Sequence, residues 1–481
     1  MRLPPDAADR VARQLGGAEL GDPRRSRRLE RIVRKMAAAP SGSIPLVLED
    51  DAEIQAAYRL ANNPHVTFDG VLAPHISATV EAATAVREVL VVHDTTDCSF
   101  PTLDPQKLGY LQTGKAGFRL HFALAIDGDT WRRPLGVVHA ETLFRTGRRR
   151  TRWSDRPSGS ETGRNADREY GRWWRGVKTS AGRLAGCARV VHVADRESDS
   201  YELMSQTLDA KQDFIFRVRV DRRGREVDTG GTAWSTVKAV AARCEGVLER
   251  EVALSRRKKK SAPGMNKAHP PRKGRAATLR FAATTVVIPR PRYLHDPTPK
   301  TLELNLVHVV EKAPPDGDAP VEWLLYTTLA VNTPDQVADV VDKYRARWLI
   351  EEFNAALKTG CAYEARAFES RNALLTMLAL SLPIACELLV LRSRARSNPE
   401  APATDVLSPL QITVLRALGK RKISVHPSAQ EALLAVAGMG GHLKRNGPPG
   451  WLVLHRGMHK LKAYVDGWSA ADRAAGRTAD L

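Results

Sequence analysis

Two short apolar runs, each closing on an aspartate, constrain this chain more than any other feature. Val89-Leu90-Val91-Val92 leads into His93-Asp94-Thr95-Thr96, and Arg189 to Ala194 leads into Asp195. Both read as strands, as do Phe118 to Ile126 and Leu135 to His139; Asp167 to Leu184 reads as a helix ahead of the fourth strand. Strands mixed with helices predict an α/β or α+β core. An aspartate that follows an apolar strand emerges at the carboxyl edge of such a sheet.

A later segment supplies a third acid. Thr333-Pro334-Asp335-Gln336 has the pattern of a capping box with proline at the first helical position. The helix it starts is expected to run through YRARWLIEEFNAALK, residues Tyr344 to Lys358. At about 100° per residue, Tyr344, Arg347, Glu351 and Lys358 fall within roughly 60° of one another. Two readings fit that stripe. One is a solvated salt-bridge ladder, since Arg347 and Glu351 form an i,i+4 pair. The other is a grip on a phosphate beside a metal ion.

Charge narrows the partners. The chain has 481 residues, enough for two to four domains, and its 43% hydrophobic content is ordinary for a soluble protein. Lys and Arg number 74 against 54 Asp and Glu, a formal charge of +20. Such an excess points first to nucleic acid, where each neutralised phosphate releases counterions, and second to an anionic membrane surface. No basic amphipathic helix supports the second. Cys98, Cys187, Cys244, Cys361 and Cys386 are scattered without a CxxC pair, which fits a reducing cytoplasm better than a disulfide framework or zinc site. The first residues lack the apolar stretch of a signal peptide. The most apolar run, Leu374 to Leu391, is interrupted by Pro383 and Glu387 and reads as a buried core helix, so no membrane span is expected.

Organisation follows from the same patterns. The first 65 or so residues look helical, and Asp22-Pro23 starts a helix carrying Arg24, Arg25, Arg27, Arg28, Arg31, Arg34 and Lys35 around an apolar stripe of Leu29, Ile32, Val33 and Met36. Glu30 is the one acid inside it, which favours phosphate contact over a merely solvated face. Strands dominate between Asp195 and Glu351: Phe214 to Val220, Val247 to Leu254, Thr278 to Ile288 and Leu302 to Val310. Ser255 to Arg275 holds nine Lys and Arg and no acid, a basic loop between two strands. After Arg366 the chain reads as mostly helical, with breaks near Ser397 to Thr404 and at Asn446 to Gly450.

Asp94, Asp195 and Glu351 are the acids a metal site would use. Hard divalent cations prefer oxygen ligands, and a pair of them activates an attacking oxygen while stabilising the leaving oxygen of a phosphodiester. By spacing alone the trio is one possibility among several, because aspartates often follow apolar strands.

The motifs resemble, almost end to end, the bacterial insertion-sequence-four family of cut-and-paste DDE transposases, which includes the transposase of transposon five. ELGDPRRSRRL is similar to the family's N-terminal DNA-binding helix, AAYRLANNPHV to its next stretch, HDTTDCSF and VADRESDSYEL to its two aspartate motifs, YRARWLIEEF with LKTG to its Tyr-Arg-Glu-Lys signature, and GHLKRNGPPGWLVLHRGMHKLKAYVDGW to its C-terminal helical region. The resemblance implies catalytic, metal-binding roles for Asp94 rather than Asp97, Asp195 rather than Asp199, and Glu351 rather than Glu352, with two Mg²⁺ or Mn²⁺ ions and no small-molecule cofactor. It implies DNA contacts by Tyr344, Arg347, Lys358, Trp323, Arg217, Arg25 and Arg28. Trp323 aligns with a tryptophan that stacks on a flipped base, although a core strand aromatic is the alternative; Arg217 is equally readable as a strand residue pairing with a carboxylate. The implied fold is α/β: an RNase H-like catalytic core, a mixed sheet flanked by helices, with an inserted β-subdomain at about 222–312. The core spans 67–368, between a helical DNA-binding domain at 1–66 and a helical dimerisation domain at 369–481. The implied activity is cleavage at transposon ends, hairpin formation and opening, and strand transfer into target DNA by a homodimer on paired ends of double-stranded DNA, in the bacterial cytoplasm at the nucleoid. A catalytically decayed DNA-binding relative and an RNase H-like nuclease without strand transfer are the alternatives. Where relatives often carry His-Lys after EEF, this chain has Asn354-Ala355, which removes a basic DNA contact.

Overall fold

A computed structural model of the chain describes residues 5–48, 50–129, 132–145, 171–227, 233–257, 270–366, 368–405, 407–443 and 449–476. Among the described residues, eleven strands form one sheet. They are β1 (Val89–Ser99), β2 (Gly117–Asp127), β3 (Pro134–Leu143), β4 (Val190–Ala194), β5 (Asp213–Arg217), β6 (Arg223–Glu226), β7 (Ser235–Thr236), β8 (Gly246–Leu254), β9 (Arg275–Pro289), β10 (Thr301–Glu311) and β11 (Glu322–Thr327). Their order is β3-β2-β1-β4-β5-β11-β10-β9-β6-β7, with β8 also on β9. β3, β2 and β1 are antiparallel, whereas β1, β4 and β5 run parallel. That 3-2-1-4-5 arrangement is the sheet of an RNase H-like core.

The strands of that core are buried on both faces. Val89 to Val92 are wholly inaccessible, as are Leu120 and Phe122 to Ile126 on β2. Burial of both faces is what makes these strands read as apolar runs instead of alternating ones. The inserted strands β6 to β10 do not form a separate sheet. They continue the core sheet through β11, which pairs with β5 on one side and β10 on the other. The basic hairpin between β8 and β9 extends to an Arg257–Arg272 bridge, and the rest of the Ser255 to Arg275 run, 258–269, lies outside the described residues.

Among the described residues, five helices precede the sheet: α1 (Pro5–Gly16), α2 (Pro23–Ala38), α3 (Ile44–Leu48), α4 (Asp51–Ala61) and α5 (Phe68–Thr84). Asp22 caps α2 by accepting the Arg24 N–H, and Leu29, Ile32, Val33 and Met36 face inward as their spacing predicts. These residues belong to the same continuous apolar core as the sheet. α6 (Gly171–Arg183) covers the other face of the sheet; 167–170, the first part of the helix expected there, lie outside the described residues. α7 (Tyr201–Asp209) and α8 (Val237–Arg243) pack beside the later strands.

α9 (Pro334–Ala346) begins with the expected capping box, Thr333 and Gln336 bonding reciprocally. The single long helix expected through Lys358 is a correction: a turn at Arg347 separates α9 from α10 (Trp348–Ala355), and a π-helical turn follows at Ala356–Gly360. The wider π turn moves Lys358 off the stripe extrapolated at α-helical pitch. The C-terminal part consists of α11 (Arg371–Ser397), α12 (Pro409–Leu418), α13 (Ala429–Met439) and α14 (Trp451–Ala474). Of the Asn446–Gly450 break, 444–448 lie outside the described residues. α11 is long and apolar enough to cross a membrane by composition, yet 83% of its most apolar window is buried within the protein.

His75 ties the N-terminal helices to the sheet. Its Nε2 accepts the Val137 N–H at 3.1 Å, and its Nδ1 lies 3.0 Å from Gln14 Oε1. An acceptor Nε2 requires a neutral ring with the proton on Nδ1. Burial lowers the His75 pKa from 6.5 to about 4. The unfolded chain therefore binds this proton more readily, and the stability that His75 contributes is present above pH 6.5 and lost as the pH falls toward 4. The shift corresponds to about 3 kcal/mol. His75→Gln, which preserves one acceptor and one donor without titrating, is expected to flatten the fall in Tm between pH 7 and 4.5. An unchanged pH profile in that variant refutes the assignment.

Candidate active site

The register of two parallel strands places the first two acids. Val92 pairs with Val193 and His93 with Ala194, so Asp94 and Asp195 leave β1 and β4 side by side. β1 does not end at Asp94, as its apolar run suggests, but continues to Ser99 along β2. Asp94 is thus a mid-strand residue at the carboxyl edge of the parallel segment. Alternation turns it to the face of Leu90 and Val92, toward α10. There Phe122, its partner on β2, packs against Phe353 with ring centroids 5.0 Å apart.

Asp195 begins a 3₁₀ turn, Arg196–Ser198, and its Oδ1 accepts the Glu197 N–H at 2.8 Å. Glu351, in the first turn of α10, is held by Arg347 through two guanidinium contacts of 3.2 and 3.3 Å. Asn354, one turn on, donates from Nδ2 to Asp94 Oδ2 at 2.8 Å. The three carboxylates share one electrostatic environment. Burial first, then Asp195, then Glu351, push the Asp94 pKa up to about 7, while the Asn354 hydrogen bond and Arg347 oppose the rise. A buried carboxyl that two neighbouring acids push upward marks a site short of positive charge, and oxygen donors of this kind suit a hard divalent cation. Among the described residues no three acid, histidine or cysteine side chains close into a ligand shell, and Glu351 is turned to Arg347.

The neighbouring acids are taken up elsewhere. Asp97 lies 3.5 Å from Arg119, and its carbonyl accepts from Lys358 Nζ. Asp199 is buried, accepts the Arg219 and Val220 N–H groups at 2.6 and 2.7 Å, and pairs with Arg222. Glu352 points away from Glu351, to Arg392 at 3.5 Å and to Arg396, both on α11.

A second group flanks the carboxylates. The Arg217 guanidinium, on β5, lies 5.9 Å from the Trp323 ring and donates to the Glu322 carbonyl at 3.2 Å rather than to a carboxylate. Trp323, on β11, meets the Tyr344 ring edge-on at 5.4 Å. Among the described residues the buried Tyr344 hydroxyl makes no hydrogen bond of ordinary geometry, although Arg217 and Arg347 lie near enough to act on it electrostatically. Arg217, Trp323, Tyr344, Arg347 and Glu351 therefore meet in one place. Lys358 is drawn aside to the Asp97 carbonyl and to Glu364 at 3.5 Å. Arg25 and Arg28 sit far away in the chain on α2. Arg25 donates to the Leu20 carbonyl at 2.7 Å, and Arg28 is exposed. The expectation that α2 has few acids to pair with is corrected in part: Arg34 reaches Asp9 and Glu30, and Lys35 reaches Glu53.

Comparison with protein families finds two matches. Residues 8–66 match the transposase DNA-binding family, and residues 161–385 match the transposase DDE domain. Together these are the domains of a DDE transposase. The DDE match contains Asp195 and Glu351, while β1 with Asp94 lies ahead of it. It accords with the RNase H-like sheet, and the N-terminal match, which covers most of α1 to α4, supports DNA as a partner.

Asn354 is the residue that sequence reading missed. It was legible only as the absence of a basic side chain, whereas its position three residues after Glu351 places it on the same face. The paired glutamates yield a test. The Glu351 side chain is 44% exposed and Glu352 10%. Breaking a buried ion pair costs about 3–5 kcal/mol, and an exposed one at most about 1 kcal/mol. Glu352→Ala is expected to lower the unfolding free energy by about 3 kcal/mol in urea titrations, and Glu351→Ala by less than about 1 kcal/mol. Equal losses would show that the two acids do not divide in this way.

Proposed function

We propose that this protein is a cut-and-paste DNA transposase in which Asp94, Asp195 and Glu351 form the catalytic, cation-binding triad. The observation that carries the reading is the convergence of three carboxylates from β1, β4 and α10 with no fixed countercharge of equal size, at the carboxyl edge of an RNase H-like sheet. Two Mg²⁺ or Mn²⁺ ions held there would supply Lewis-acid stabilisation of the phosphodiester and activation of the attacking oxygen.

The chain's own residues position the DNA. Arg347 is shared between Glu351 and the approaching phosphate; once Glu351 turns to the cations, the guanidinium is free to donate to phosphate oxygens, a strong charge-assisted contact. Lys358 adds a second donor near the scissile bond, and the unsatisfied Tyr344 hydroxyl a third. Trp323, packed by Tyr344 and Arg217, offers a face for an unstacked base, worth about 1–3 kcal/mol. Arg25 and Arg28 contact the transposon end through α2. In the first step a water oxygen attacks phosphorus, the bond to the 3′ oxygen breaks and a 3′-OH is freed. That hydroxyl attacks the opposite strand to close a hairpin, a second water opens it, and the new 3′-OH attacks target DNA. The two hydrolyses each convert a phosphodiester into a 5′-phosphate and a 3′-OH, whereas hairpin closure and strand transfer exchange one phosphodiester for another, so joining needs no external energy source. Subunits pair through the C-terminal helices, each subunit binding one end and cutting the other.

Asp94→Ala is expected to reduce Mg²⁺-dependent nicking of transposon-end DNA roughly a hundredfold or more, with end binding in gel-shift assays unchanged. Nicking that survives the change sinks the triad. Pre-cut ends incubated with Mg²⁺ and a plasmid are expected to join it. Cleavage without joining would identify a nuclease, and end binding without either would identify a decayed relative.

A further inference from the structure

Asn354 makes a contact that sequence comparison treats as a deficiency. Its side chain does not point out toward DNA but inward, donating from Nδ2 to Asp94 Oδ2 at 2.8 Å. The opposite end of the amide, Oδ1, is buried and has no partner among the described residues. A buried unsatisfied carbonyl costs about 1–3 kcal/mol, so a position that retains one calls for an explanation. Two observations supply it. The helix turn puts Asn354 and Glu351 on one face of α10, and the donated hydrogen bond occupies one oxygen of Asp94 while leaving the other for a ligand.

We infer that Asn354 is a positioning residue of the divalent-cation site: Nδ2 fixes the rotamer of Asp94, and Oδ1 accepts a hydrogen bond from water in the outer shell of the bound ion. The inference rests on the reading of Asp94, Asp195 and Glu351 as cation ligands. Groups that orient metal ligands act on affinity, and their loss commonly costs 10–100-fold. The amide differs from a lysine in this place because it carries no charge. It therefore orients the carboxylate without competing with the cation for it.

The test uses Mn²⁺ as the probe and the full chain, reading free Mn²⁺ by electron paramagnetic resonance. Asn354→Ala and the near-isosteric Asn354→Leu are expected to weaken Mn²⁺ binding by about tenfold or more, with unchanged Tm and unchanged transposon-end binding. Asn354→His, which retains an N–H donor, is expected to remain closer to the unaltered protein. In nicking assays the Mn²⁺ midpoint should rise in the Ala and Leu variants while the rate at saturating Mn²⁺ largely recovers. Unaltered Mn²⁺ affinity in both variants overturns the inference, and so does an Asn354→His protein as weak as Asn354→Ala. Asp94→Ala separates this failure from that of the site itself. If Asp94→Ala still binds Mn²⁺ normally, the carboxylates are not the cation site. If it loses binding while Asn354→Ala retains it, only the role of Asn354 falls.

Discussion

The parallel pairing of β1 with β4 is the constraint on which the rest of the site depends. Side chains alternate along a strand, so a slip of one residue would turn Asp94 into the opposite face and leave Asp195 without a neighbour. A buried contact resists that slip. His93 Nε2 lies 2.9 Å from His192 Nδ1 between the two strands, on the face away from Asp94. The absence of a side chain at Gly176 lets α6 close over this pair: a Cβ there would sit 2.6 Å from His121 and 3.1 Å from His93. The ring nitrogens stay neutral because burial holds the His93 and His121 pKa values well below the usual range, helped by the neighbouring histidines and, at His121, by arginines. One face of the sheet thus keeps its histidines uncharged and packed beneath α6, while the other concentrates three carboxylates.

That asymmetry explains which parts of the site were legible in the sequence. Asp94 and Asp195 were visible because each follows an apolar run, and a doubly covered strand carries few polar residues to blur it. The start of α9 was visible because a capping box is local chemistry. Choosing Glu351 over Glu352, or Asp195 over Asp199, required resemblance to a family, since the distinction depends on partners far away in sequence: Arg392 and Arg396 for Glu352, Arg222 for Asp199. The same distance hid Asp9 and Glu53, which pair with Arg34 and Lys35, and the continuation of one sheet through the inserted strands. The turn at Arg347 and the π turn after Ala355 were illegible for another reason. Helical periodicity assumes a constant pitch, and nothing in YRARWLIEEFNAALK breaks its apolar pattern where the backbone departs from it.

Basic side chains divide by the same logic. A formal charge of +20 does not spread evenly as free cations. Arg222, Arg275, Arg392 and Lys343 are committed to buried or half-buried acids and hold elements together. Arg28 and Arg31 on α2 face solvent from a helix whose apolar side is locked into the common core. A rigid helix presenting arginines at fixed spacing suits a phosphate backbone, because little side-chain or backbone order remains to be created on binding. The match of residues 8–66 to a transposase DNA-binding family agrees with that placement.

Helix α10 joins the two halves of this economy of charge. Glu351 faces the aspartates, loosely held by one arginine and open to solvent. Glu352, rotated by about 100°, is buried against Arg392, whose guanidinium stacks 4.6 Å from the Trp451 ring on α14. Adjacent residues of like charge therefore anchor to opposite sides of one short helix. Because Glu352 is fixed to the C-terminal helices, any displacement of those helices rotates or shifts α10 and carries Glu351 and Asn354 with it. The position of Glu351 is then coupled to the packing of the C-terminal helices. Asp195, held by its own strand and the turn that follows it, has no such dependence, and Asp94 meets α10 only through the Asn354 amide. Of the three acids, Glu351 is the one whose backbone is carried by the helix that the C-terminal helices anchor.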